Sequence, residues 1–177
     1  KNTGKQIQIV YGIQNQPGGL AQGLCIAKEY VGNDPCVLYL GDNIFEDNIT
    51  SHIKNFKEGS LIFLKKTSEP ERFGVATINK DGKVSNIEEK PEKSKSDLAV
   101  TGVYIYDNSV FKKMTGQKPS KRGEYEITFV NNKYTEEGNL KYIILEKEWF
   151  DIGTFDSLLR ASNYMKEKEM KERKLKK

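Results

Sequence analysis

The sequence predicts an α/β protein in which strands and helices alternate along the chain. Short apolar or β-branched runs recur at intervals, stripes of helical period fall between them, and glycine, proline and Asp-Gly pairs punctuate the joints. With 177 residues, 36% of them apolar, the chain can bury the core of one ordinary domain. No apolar run approaches the length of a membrane span, and no charged-then-apolar leader precedes the first predicted strand. The expectation is a cytoplasmic protein with no membrane partner.

In order, QIQIVYG (6–12) reads as a strand closed by glycine, and LAQGLCIAKEYVG (20–32) as a helix with Leu20, Leu24, Ala27 and Val31 on one face. CVLYL (36–40) suits a strand covered on both faces. Ile49, Ile53 and Phe56 form a second helical stripe, and SLIFLKKT (60–67) a further strand. This alternation predicts a largely parallel sheet with helices on both faces. Beyond it, two strand-like runs flank Lys80-Asp81-Gly82, a hairpin signal. LAVTGVYIYD (98–107) reads as a strand, EITFVNNKYTEEG (126–138) as a helix and NLKYIILEKEWF (139–150) as a strand. The last helix starts at Thr154, with Phe155, Leu158, Leu159, Ser162 and Met165 as its inward stripe.

The net charge of +4 resides in the C-terminal segment 166–177, which holds seven Lys/Arg against three Glu. The rest balances at 22 basic and 22 acidic residues, so the folded part lacks the basic excess that nucleic-acid binding exploits. Residues 1–165 are expected to form the domain and 166–177 a charged helical tail. Cys25 and Cys36 have no metal-ligand spacing and read as small core residues. His52, the only histidine, falls on the polar side of a helix and reads as solvent-facing.

Several segments carry residues suited to a ligand site. In QNQPGGLAQG (14–23) two glycines before a helix let backbone amides approach a ligand, and Gln14 and Gln22 suit the edge of a nucleobase; taken alone the segment reads more readily as ordinary loop punctuation. Asp42, at the end of VLYL, and Asp151, at the end of the EWF run, are two strand-end carboxylates that could clamp Mg2+, a hard cation that takes few protein ligands. Turn or helix-cap chemistry is the alternative for each. Glu89 and Lys90 of EEKP sit where a hairpin runs out at proline; lysine suits phosphate and glutamate suits sugar hydroxyls, while a surface ion pair is the competing reading. Arg122 and Glu124 could reach the same place.

Taken in order, QNQPGGLAQG, LGDNIFED, ERFGVA, EEKP, AVTGVYIYD, KRGEYEITFVN and DIGTFDSLLRASNY resemble the sugar-1-phosphate nucleotidyltransferases, most closely the short glucose-1-phosphate thymidylyltransferases. The resemblance implies a Rossmann-like, GT-A-like mixed sheet with helices on both faces and a homo-oligomeric enzyme. It would join dTTP to glucose 1-phosphate, giving dTDP-glucose and pyrophosphate. It further implies that Gln14 and Gly19 read the base and that Asp42 and Asp151 hold Mg2+. Gly74, Glu89, Lys90, Val100, Tyr104, Arg122 and Glu124 would meet the hexose 1-phosphate, with Lys90 holding the attacking phosphate.

Two departures bear on these expectations. The family's G-G-x-G-T-R-L phosphate loop and its lysine-proline segment do not occur in these 177 residues, so the N-terminal strand-loop-helix unit is expected to be missing and the chain alone inactive. Phe129 stands where the family's E-I-T-D pattern has aspartate, which puts the helix start or the polarity of the cleft in doubt. A UTP-dependent enzyme and a non-catalytic nucleotide-sugar-binding module are the alternative functions.

Overall fold

A computed structural model describes residues 7–175. Its sheet is organised on β6 (Leu98–Tyr106), whose nine residues are all buried, as the unbroken run LAVTGVYIY requires. One edge of β6 pairs antiparallel with β3 (Ser60–Lys66). The other edge is shared: β4 (Gly74–Ile78) pairs at Ala99, and β1 (Cys36–Tyr39) pairs from Val103 to Tyr106. β5 (Val84–Glu89) lies outside β4 and β7 (Leu140–Ile144) outside β3, giving the order β5-β4-β6-β3-β7 with β1 beside β6. A separate ribbon pairs β2 (Asn43–Phe45) with β8 (Trp149–Asp151).

Among these pairs only β3 and β7 run parallel, which corrects the largely parallel sheet expected from the alternation of elements. The placement of β6 explains the difference: β1, β3, β4 and β7 share one direction, but β6 runs against them and separates β1 and β4 from β3. The helices of these connections are short, with four, six and four residues in α2 (Lys28–Val31), α3 (Thr50–Asn55) and α4 (Val110–Lys113). β4 and β5 instead form the hairpin that Asp81-Gly82 predicts, its turn closed by Asn79, whose side-chain oxygen accepts the Asp81 and Lys83 amides. The sheet is mixed, with helices on both faces.

Successive residues of β3 and β6 point to opposite faces and so feed two cores. Ile62, Leu64, Tyr104 and Tyr106 pack against α1 (Leu20–Ile26) and α5 (Ile127–Glu136) through Ala21, Leu24, Ile127, Val130 and Tyr134. Leu61, Phe63, Val103 and Ile105 pack with Leu145, Ile49 and Phe56 on the other side. Each large side chain so buried contributes about 1.5–3 kcal/mol.

Other expectations need correction. Of the strand expected over 6–12, residue 6 lies outside the described residues. Residues 7–12 pair with no described strand, and Ile7, Ile9 and Tyr11 are exposed. The 20–32 helix is interrupted at Ala27 into α1 and α2. β1 is covered on one face only: Cys36 and Leu38 pack on the core while Val37 and Tyr39 are half exposed. Cys25 is exposed, and His52 is half-buried, edge-on to Phe63 at 5.7 Å. The 139–150 run divides into β7 and β8.

The last helix, α6 (Phe155–Leu175), does not bury its apolar stripe: Phe155 is 92% and Leu159 60% exposed. It docks through small and polar residues instead, with Ser157 and Ala161 buried, Tyr164 bonded to Glu46 at 2.7 Å, and Lys168 paired with the same carboxylate. Small side chains there permit close approach to the ribbon. Among the described residues no helix is long and apolar enough to cross a membrane.

Asp107 ties the end of β6 to α5. Its carboxylate accepts Gly59 N at 2.7 Å, Ser109 N at 3.0 Å, Ser109 Oγ at 2.5 Å and Tyr134 OH at 2.9 Å. Partial burial works to raise this carboxyl, but the Ser109, Gly59 and Tyr134 donors outweigh it and hold it below the usual aspartate value. A depressed carboxyl stabilises the fold above its unfolded pKa of about 3.9 and loses that contribution as pH falls through the folded value. Asp107→Asn is expected to cost about 1–3 kcal/mol at pH 7 and to flatten the acid limb of stability, read by urea melts from pH 7 to 3.

Candidate active site

The sheet's geometry gathers distant loops around one cleft of about 260 Å3. Gly74, Glu89, Lys90, Val100, Arg122, Glu124 and Asp151 all line it. At its centre β5 ends in Glu89, and the chain turns through Lys90, the only non-glycine residue with positive φ among those described, at +43°. Such a conformation costs free energy in a non-glycine residue and persists where surrounding structure imposes it. Here the Lys90 amide donates to Phe73 O at 2.9 Å, which closes the open end of the hairpin and sets the side chain at the cleft.

Glu89 receives a hydrogen bond from Thr128 Oγ1 and lies 3.8 Å from Arg122 Nη2. Burial pushes its carboxyl above the usual glutamate value, and Glu126 adds to the rise; Thr128, Arg122 and Lys90 oppose it. Gly74 makes the Glu89–Thr128 contact possible, since a Cβ there would stand 3.2 Å from Thr128 Oγ1 and 3.4 Å from Glu89 Oε2. Arg122 is gripped by Glu126 through Nε at 3.2 Å and Nη2 at 3.1 Å, and meets Glu124 at 2.7 Å. Arg72 is likewise paired, to Glu69 at 3.0 Å and Asp151 at 3.8 Å. Lys90 differs: among the described residues its amine has no acidic partner within 4 Å.

Asp42 and Asp151 meet across the β2–β8 ribbon, where Ile152 N donates to Asp42 O at 2.7 Å. A Cβ added to Gly153 would lie 3.4 Å from Asp151 Oδ1 and equally 3.4 Å from Asp42 Oδ2, so the two carboxylates converge on one point that glycine leaves open. Among the described residues no cluster of three or more His, Cys, Asp or Glu could hold a metal. Two converging carboxylates fit Mg2+, which takes its remaining ligands from phosphate and water.

Asn43 organises this corner. Buried at 5% exposure, its Oδ1 accepts Gly102 N at 2.9 Å and Trp149 Nε1 at 2.6 Å, while its Nδ2 donates to Asp42 Oδ1 at 2.8 Å. It therefore joins β6, β8 and the Asp42 carboxylate at the gap in β6's edge between β4 and β1. Gly102 has to lack a side chain, because a Cβ would fall 2.5 Å from the Asn43 amide. Trp149 and Phe73, edge-on at 5.1 Å, wall the cleft.

Gln14 and Gly19 lie beside this cleft rather than in its lining. Gly19 has φ +93°, and a Cβ would strike the Tyr125 backbone at 2.6 Å. That close approach stitches the two loops together: Tyr125 N donates to Gly18 O at 2.7 Å and Ala21 N to Tyr125 O at 3.1 Å. Tyr104 is 4% exposed and stacked on Tyr106 at 6.0 Å, so it belongs to the core beneath the cleft; burial, with nearby Glu89 and Asp42, pushes its phenol far up. Phe129 packs on the core with Lys133 Nζ 5.6 Å from its ring, so the departure there leaves both helix start and cleft intact.

Sequence reasoning missed Asn43, Trp149, Thr128, Glu126 and Arg72. Only Asn43 carried a signal, as a polar residue following Asp42 in a segment bounded by apolar runs.

A family model described as nucleotidyl transferase matches residues 1–168. The chain belongs to the nucleotidyl transferase family. Within that family it is 41% identical over 171 residues to the glucose-1-phosphate thymidylyltransferase of Mycolicibacterium smegmatis, covering 94% of this chain and 59% of that enzyme. It is 42% identical over 165 residues to the Neisseria meningitidis enzyme of the same name, covering 90% and 57%. The chain thus spans less than two thirds of these curated relatives. A Bacillus anthracis protein assigned as a glucose-1-phosphate thymidylyltransferase and crystallised with sucrose superposes with a TM-score of 0.80 at 46% identity, over 88% of this chain and 64% of that one. A UDP-glucose pyrophosphorylase bound to UDP-glucose shares the nucleotidyl transferase fold, with a TM-score of 0.77 at 24% identity.

Proposed function

We propose that this chain supplies the base-reading loop, the metal aspartates and the sugar-phosphate cleft of an enzyme that transfers a nucleotidyl group from dTTP to glucose 1-phosphate. The observation that carries the reading is Lys90: a cation without an acidic partner, held at a strained turn beside Glu89 in a cleft whose other cations are paired. The two glucose-1-phosphate thymidylyltransferases at 41% and 42% identity support thymidine nucleotide and glucose 1-phosphate as substrates.

In the reaction a phosphate oxygen of glucose 1-phosphate attacks the α-phosphorus of dTTP. That P–O bond forms as the bond from the α-phosphorus to the bridging oxygen breaks, and pyrophosphate leaves with the electron pair. No covalent protein intermediate is needed, so the protein's task is positioning and charge neutralisation. Lys90 holds the attacking phosphate, while Arg122, engaged by Glu124 and Glu126, fixes those carboxylates at the cleft wall. Glu89 accepts from hexose hydroxyls, with the Trp149 and Phe73 rings excluding water from that side. Asp42 and Asp151 would hold Mg2+, which when bound neutralises phosphate charge.

Pyrophosphate release is the test. The complete polypeptide carrying this sequence is expected to turn over dTTP with glucose 1-phosphate, and faster than with UTP. The 177-residue chain, which contains no glycine-rich phosphate loop, is expected to release none. Absence of turnover by the complete polypeptide with any hexose 1-phosphate, alongside retained nucleotide-sugar binding, would assign it instead as a binding module.

A further inference from the structure

Resting on the base-reading assignment of Gln14, we infer that Gln22 does not read the base but orients the residue that does, and so selects pyrimidines that carry an N–H on their pairing edge. The two amides form a chain anchored at each end by a backbone group of fixed polarity. Gln14 Nε2 donates to Gly19 O at 3.2 Å, and a carbonyl can only accept, so the NH2 end of Gln14 must point there. Gly18 N donates to Gln22 Oε1 at 3.1 Å, and an amide N–H can only donate, so the oxygen end of Gln22 must point there. Between them Gln14 Nε2 donates to Gln22 Oε1 at 2.6 Å. Turning either amide over would set donor against donor or acceptor against acceptor.

With its NH2 group committed twice, Gln14 has only Oε1 to offer a ligand. Among the described residues that oxygen has no protein donor, and it points toward Gly23, 3.6 Å from where a Cβ would be. Gln14 and Gly23 wall a hollow of about 330 Å3 together with Val10, Ile26 and Tyr30, space enough for a planar ring. An acceptor presented there matches N3–H of thymine or uracil and opposes N3 of cytosine, which is itself an acceptor.

A second observation shows that the Gln22 seat is built. A Cβ on Gly18 would collide with the Gln22 amide, 2.6 Å from Cδ and 2.6 Å from Nε2, so the bare Gly18 backbone is the surface on which Gln22 lies. Since the colliding atoms are the end of a flexible side chain, Gly18→Ala displaces Gln22 with little effect on folding.

The test measures dissociation constants for dTTP and dCTP by calorimetry on the complete polypeptide. The parent protein is expected to prefer dTTP by at least about tenfold, one hydrogen bond's worth. Gln22→Met and Gly18→Ala are expected to bring the ratio within about threefold, because Gln14 then keeps only its 3.2 Å bond to Gly19 O, and turning to offer its NH2 to cytosine gives up that one contact rather than two. Gln22→Glu, which still accepts from both Gly18 and Gln14, keeps the preference. A Gln22→Met protein that weakens both nucleotides equally, or leaves the ratio unchanged, overturns the inference. A parent protein without preference, or a Gln14→Met variant that leaves the ratio unchanged, overturns the base-reading assignment itself and the inference with it.

Discussion

Lys90→Met in the complete polypeptide is expected to lower kcat for pyrophosphate formation by about 10^3-fold while leaving the fold intact. Lys90 is exposed, so truncating its amine removes no packing, and the other two cations facing the cleft are already engaged. Lys90→Gly separates chemistry from folding. Glycine adopts φ +43° without strain, so this variant should melt no lower than the parent yet be as inactive as Lys90→Met. Lys90→Arg is not expected to rescue fully, because a planar fork differs in reach and hydration from a point charge. Steady-state kinetics with parallel thermal melts decide it; a loss below about tenfold would remove Lys90 from the reaction.

The aspartate pair gives the second large effect. Asp42→Asn and Asp151→Asn are each expected to reduce kcat/KM by about 10^2 to 10^3 and to raise the Mg2+ concentration needed for half-maximal rate. Since both carboxylates converge on one point, the double variant should lose little more than either single one. Mg2+ titrations of the initial rate check this. Full additivity would mean that the two act at separate places. Asp151→Asn should also release Arg72, which now approaches Asp151 at 3.8 Å.

Elements that carry their own local signal were legible in the sequence. The Asp81-Gly82 turn, the uninterrupted run of β6 and the helical period of α5 each specify one conformation, and the structure has them. What the sequence did not show depends on partners. Ile7, Ile9 and Val10 look like strand residues, but a strand also needs a neighbour to pair with, and residues 7–12 pair with no described strand. The apolar stripe of α6 looked inward because burial favours apolar groups; close packing of Ser157 and Ala161 on the ribbon prevailed.

The site divides in the same way. Glu89, Lys90, Arg122 and Glu124 could be suspected from charge beside a turn, and all four line one cleft. Asn43 could not be read as a hub, since its partners Gly102 and Trp149 lie 59 and 106 residues away. Nor does spacing reveal that Gln22 supports Gln14, because the anchors are backbone groups whose position only the folded loop fixes.

The central claim is that the Lys90 cleft holds the hexose phosphate while Gln14 meets the base. A crystal structure of the complete polypeptide with dTDP-glucose and Mg2+ tests it most directly. The predicted result places the hexose between Glu89 and Trp149, its phosphate within hydrogen-bond reach of Lys90 Nζ, and Gln14 Oε1 on an N–H of the thymine. A hexose phosphate bound elsewhere, with Lys90 left in solvent, would contradict the account.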